Sequence, residues 1–121
     1  MFKLNKFCAI YAVMVAIASS TAALAEVKTG LYVKYLQVSQ GGTRAFMQFS
    51  TSVDGSVGAY TFSTGCTVNH SAILDTSTAD GKNMYALLMS AYVAKLPLEV
   101  NAGNCNAGYP RVIEVAYGFY P

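Results

Sequence analysis

The chain has a single histidine, three cysteines, three prolines, and charged side chains at only 12% of its 121 positions. Each shortage excludes a class of chemistry. A Ser-His-acid triad would have to use His70, yet Ser71 is merely its neighbour and no serine lies in a GxSxG turn. A catalytic Cys-His pair needs a free thiol, and the cysteine count below leaves none. No histidine, cysteine and carboxylate cluster has metal-ligand spacing, and no glycine-rich loop could cradle a phosphate, so neither metal nor cofactor is expected. Glu99 and Glu114 could in principle form a carboxylate pair, but both fall on the polar side of predicted strands, where charge belongs in any case. The expectation is a protein that is not an enzyme.

The sparse charge is also unevenly placed. Lys3 and Lys6 open a segment in which Phe7 to Ala18 is continuously apolar and Ala23-Leu24-Ala25 offers a small-x-small cleavage site, the three-part plan of a secretory signal peptide. The apolar run is shorter than the roughly 20 residues a transmembrane helix needs. Residues 1–25 are therefore expected to be a signal peptide and 26–121 a single mature domain, secreted or periplasmic, with no membrane span. The segment holds two of the eight basic residues and no acidic one, so the remainder balances six against six. A neutral domain lacks the cationic face that nucleic-acid binding requires. Cys8 lies in the same segment, which leaves Cys66 and Cys105 in a chain bound for an oxidising compartment. One disulfide between them is the expected pairing.

Periodicity supplies the elements. Leu31 to Val38 is rich in β-branched and aromatic residues and stops at Gly41-Gly42, Arg44 to Ser50 alternates behind that turn, and Ala59 to Thr64 alternates after Asp54-Gly55. Between Asp80 and Lys95 the apolar spacing changes to three and four, which predicts one helix with Asp80 as its N-cap, Lys95 at its negative end and Pro97 stopping it. Leu96 to Val100 and Ile113 to Phe119 read as two further strands, with Asn101 to Pro110 a loop by composition. The expected fold is mainly β with one helix in the order β-β-β-α-β-β. That order matches a five-stranded Greek-key barrel of the OB-fold type, with an open antiparallel sheet covered by the helix as the alternative. A surface rich in tyrosine, serine, threonine and asparagine suits carbohydrate or protein recognition, because tyrosine rings stack on sugar faces and small polar groups read hydroxyls. Asn69-His70-Ser71 also matches a glycosylation sequon, a pattern common by chance.

The opening Thr29-Gly30-Leu31-Tyr32-Val33, the Gly65-Cys66 pair, and the helix Asn83 to Lys95 with its Tyr85-to-Ala91 core resemble the small secreted B subunits of the subtilase cytotoxin and typhoid toxin type, related in fold to the pertussis toxin binding subunits. The likeness spans most of residues 26–121 as a pattern of elements. It implies an OB-fold, a homo-oligomeric ring, binding of a sialylated or related cell-surface glycan, and a catalytic A subunit as partner. By position it places the glycan pocket at Tyr35, Arg44, Gln48 and Ser50, with Arg44 able to pair a sialic carboxylate. The competing expectation is a monomeric periplasmic module that binds or inhibits a protein through its loops.

Overall fold

A computed structural model describes residues 25–117. The expected signal peptide and the end of the expected last strand, Phe119, lie outside them. Five strands and one helix follow in the order β1 (Glu26–Val38), β2 (Arg44–Ser50), β3 (Ala72–Asp75), α1 (Ala79–Ala94), β4 (Leu98–Asn106) and β5 (Tyr109–Tyr117). The sheet closes on itself in the order β1-β2-β3-β5-β4. Every pairing is antiparallel except β3 with β5, which run parallel and meet at a single pair, Ile73 with Arg111.

β1 makes closure possible because it serves two neighbours. Its first half pairs with β4 and its second half with β2. The register shifts between Lys28 and Leu31, where Gly30 takes a φ of 72° that a side chain would resist. The alternating residues Leu31 and Val33 on β1, Ala45, Met47 and Phe49 on β2, and Leu98 and Val100 on β4 then share one interior, which Leu88 and Ala91 of α1 cover.

Two expected elements are corrected. Ala59 to Thr64 is not the third strand: Phe62 and Thr64 are buried as alternation requires, but the segment makes only isolated backbone bonds, from Tyr60 N to Phe49 O and from Phe62 N to Asn69 O. The edge of β2 is occupied instead by Ala72–Asp75, a short apolar run with no alternation to announce it. The expected loop Asn101 to Pro110 is largely strand. β4 continues to Asn106 and β5 begins at Tyr109, joined by Ala107-Gly108 with both φ values positive, the geometry that suits a two-residue hairpin. Pairing with β5, and at Asn101 and Ala102 with β1 as well, overrules the low strand propensity of Asn, Gly and Ala.

Helix α1 starts one residue before its expected cap. Thr78, in extended conformation, accepts a hydrogen bond from Gly81 N, and Asp80 lies in the first turn, where its charge suits the dipole. Gly81 is obligatory there, since a Cβ would overlap the carbonyl oxygen of Asp75. Lys95 closes the helix in the left-handed region with φ 57°. The Cys66–Cys105 disulfide is present as expected, with Cα atoms 5.6 Å apart. No helix among the described residues is long and apolar enough to cross a membrane.

Glu26, at the start of β1, anchors the 59–64 segment. Its carboxylate accepts from the Tyr60 hydroxyl and, at 2.5 Å, from the backbone N–H of Ser63, while Lys28 Nζ lies 5.6 Å from the centre of the Tyr60 ring. Burial pushes the Tyr60 hydroxyl up to about 12 from its ordinary 10.0, with the acceptor and the negative charge of Glu26 adding to the shift. The folded chain thus holds this proton more tightly than the unfolded chain does. The resulting stabilisation is intact below pH 10 and is lost as pH rises towards 12. Thermal melts should fall more steeply over that window for the natural chain than for Tyr60→Phe, and equal slopes would show that neither burial nor Glu26 raises the hold on this proton.

Candidate functional site

A shallow open cleft of about 350 Å³ lies on the outer surface of the barrel, lined by Tyr35 and Gln37 of β1, Phe46 and Gln48 of β2, Ser71 just before β3, and Tyr109 of β5. Sheet register assembles it. β1 shifts register between Val33 and Tyr35, after which Tyr35 opposes Gln48 and Gln37 opposes Phe46, while the intervening pair Leu36 and Met47 faces inward. Side chains opposite each other on an antiparallel pair share a face, so four of the six lining residues follow from one ladder. Ile73, the β3 partner of Phe46, is fully buried at this surface.

The polar groups in the cleft are already oriented. The Tyr35 hydroxyl donates to Gln37 Oε1 at 2.6 Å, and Gln48 Nε2 donates to Ser71 Oγ at 3.2 Å. Phe46 and Tyr109 meet edge to face, with ring centres 5.3 Å apart. Two amide side chains, three hydroxyls and three aromatic rings thus converge on one concavity. Such a set can stack on an apolar ring face and exchange hydrogen bonds with hydroxyls, and it holds no nucleophile with an adjacent base.

Of the four positions expected to bind a ligand, Tyr35 and Gln48 face each other in this cleft. Ser50 does not face it: the residue is fully buried at the end of β2, where its Oγ lies 3.1 Å from Ser52 Oγ and accepts from the Ser52 N–H at 3.1 Å. A serine on the outward phase of a strand is covered here because the chain turns at Ser52 and folds over it. Arg44 is exposed at the far end of β2 opposite Asp75 and lies outside the cleft lining. Hydrogen bonds from the Ser77 hydroxyl and N–H hold the Asp75 carboxyl below its usual range, with smaller contributions from the Arg111 and Arg44 charges. Gln37, Phe46, Ser71 and Tyr109 were missed. The first two share the outward phase of Tyr35 and Gln48, a signal already visible in the alternation. Tyr109 lay in a segment whose composition concealed its strand.

A second cavity of about 230 Å³ lies between the start of α1 and β5, lined by Asp75, Thr78, Asp80 and Arg111 among others. Its polar groups serve local structure, since Thr78 caps α1 and Asp75 also accepts from Ser77 Oγ at 2.5 Å. Asn69 is likewise committed: its Oδ1 accepts from Thr64 Oγ1 at 2.9 Å and its Nδ2 donates to Cys66 O at 2.7 Å, bracing the turn that carries the disulfide. Both ends of its amide serve the turn, so the sequon match is better explained as a structural asparagine. His70 is exposed, and among the described residues no three histidine, cysteine or carboxylate side chains stand close enough to hold a metal ion.

Compared with known proteins, the chain matches no family model, no curated protein and no solved structure.

Proposed function

We propose that this chain is a secreted, non-catalytic glycan-binding subunit that works as a homo-oligomer, and that its barrel is an OB-fold. The observation that carries the reading is the cleft: three aromatic rings and a set of neutral hydrogen-bonding groups, held open on a rigid sheet face, are the components of a sugar site. The strand order β1-β2-β3-β5-β4, with the helix between β3 and β4, supports the OB-fold reading.

Oligomerisation is supported by α1. From Asn83 to Ala94 the helix carries no charge, and the side away from the core exposes Met89, Tyr92 and Val93, the last at 74%. Leu96 continues that apolar strip past the C-cap. A helix apolar on both sides calls for cover on both. Self-association through it fits a ring-shaped assembly of B-subunit type with a catalytic A subunit as partner.

A glycan array probed with the 26–121 chain, run beside light scattering, tests both parts. Retention of a cell-surface glycan and a multimeric mass are expected. Tyr35→Ala should weaken binding about tenfold, the value of one aromatic contact with its hydroxyl. Val93→Asp should convert the multimer to monomer with no loss of folded signal. A monomer bound to no glycan would overturn the proposal. The rival reading, a monomeric periplasmic module that binds or inhibits a protein through its loops, would gain support if the exposed Met89 and Val93 face added to that contact.

A further inference from the structure

We infer that the cleft takes an uncharged pyranose, a hexose or N-acetylhexosamine residue, and discriminates against a sialylated terminus; this rests on the glycan-binding reading above. The six lining side chains are two tyrosines, a phenylalanine, two glutamines and a serine, with no cation among them. A sialic carboxylate seated there would give up water without gaining a counter-charge, which is costly unless the charge is paired.

Neither arginine of the neighbouring strands lines the cleft. Arg44 precedes Phe46 by two positions on β2, at the end of the strand away from Gln48, and its cross-strand partner is Asp75. Arg111 lines the other cavity, beside the same Asp75. Both charges act on that carboxylate. The pair is thus already in the field of an anion at the end of the sheet face that the cleft does not reach.

The groups that do line the cleft match sugar hydroxyls and acetamides. A sugar hydroxyl both donates and accepts, so its site must offer each role. Tyr35 occupies the oxygen of the Gln37 amide and thereby leaves its NH2 group to donate to a ligand. Gln48 is engaged the other way round: its nitrogen is turned to Ser71, which leaves its carbonyl oxygen to accept. One amide is committed as donor and the other as acceptor, on neighbouring strands with one residue pair, Leu36 and Met47, between them in the β1-β2 ladder. An acetamido group, with one N–H and one C=O, uses that same pair, while the rings of Tyr35, Phe46 and Tyr109 supply the apolar contact for the sugar face.

The test uses matched oligosaccharides that differ only in a terminal sialic acid, titrated against the 26–121 chain by calorimetry. The uncapped forms ending in galactose or N-acetylhexosamine are expected to bind, sialic capping to weaken them at least tenfold, and raising the salt about tenfold to change their affinity less than twofold. Gln37→Ala and Gln48→Ala should each cost binding, whereas Arg44→Ala should leave it within about twofold. Binding of the capped forms alone, lost in Arg44→Ala, would overturn this inference while leaving a glycan-binding protein. Failure of both forms to bind would remove the glycan-binding reading itself.

Discussion

Replacing Phe49 with alanine is expected to destabilise the fold by about 4 kcal/mol, the middle of the range for an aromatic residue deleted from a packed interior. Phe49 is completely buried, meets Phe62 edge to face with ring centres 6.0 Å apart, and stands opposite Val33 across the β1-β2 ladder. Its carbonyl also accepts from Tyr60 N at 2.6 Å, so the ring packs where the 59–64 segment is fastened to the barrel. The neighbours are strands held by their own ladders, which resist collapse into the space left behind. A domain of this length is stable by roughly 5 to 15 kcal/mol, so one substitution would remove a large share. Urea denaturation should show the midpoint falling at unchanged slope. Met89→Ala on the exposed side of α1 serves as the comparison, with an expected change within about 0.5 kcal/mol in the monomeric Val93→Asp background. A loss under about 1 kcal/mol for Phe49→Ala would mean that the barrel interior is loosely filled.

Loss of the disulfide should cost nearly as much. Cys66 and Cys105 are 39 residues apart, and closing a loop of that length in the unfolded chain is worth roughly 4 kcal/mol in the chain-entropy account. Two local effects add to it. Cys66 is buried in the turn that Asn69 and Thr64 brace, and its partner lies near the end of β4, so the crosslink joins the irregular segment after β2 to the β4-β5 hairpin. The double variant Cys66→Ser/Cys105→Ser should melt roughly 20 °C below the natural chain, given the usual shift per kcal/mol for about 100 residues. Reductant added to the natural chain should reproduce that value and leave the variant unchanged. A variant within about 5 °C of the natural chain would show that the ladders hold this segment unaided.

The parts legible from sequence are those whose cause is local. β2 runs from Arg44 to Ser50 as the alternation predicts, because its two turns are marked by glycine pairs and Asp54-Gly55 and its inward residues Ala45, Met47 and Phe49 are all apolar. The helix is legible from spacing and the disulfide from counting. What escaped is set by pairing at a distance. Nothing in Glu26 to Gly30 signals a strand until β4 lies beside it, and Ala72 to Asp75 is a strand only because the edge of β2 needs a partner. The cleft divides in the same way. Tyr35 and Gln48 lie in well-patterned strands, Tyr109 depends on the β4-β5 hairpin, and Ser50 was misplaced because a bend in the chain, invisible to periodicity, closes over it.

The narrow parallel seam between β3 and β5 bears on the order in which the chain folds. Four of the five contacts around the barrel are antiparallel ladders, and two of these, β1 with β2 and β4 with β5, join consecutive strands across short turns. They can form early, since little chain must be closed to make them. Closure at Ile73 and Arg111 has to wait until α1 and the β4-β5 hairpin have swung back across the intervening chain. The Cys66–Cys105 bond ties that chain shortly before each of the two strands. Once oxidised, the ends of the seam are neighbours before they pair, and the search that joins them becomes a short one. The crosslink therefore governs how fast the barrel shuts as well as how firmly it stays shut.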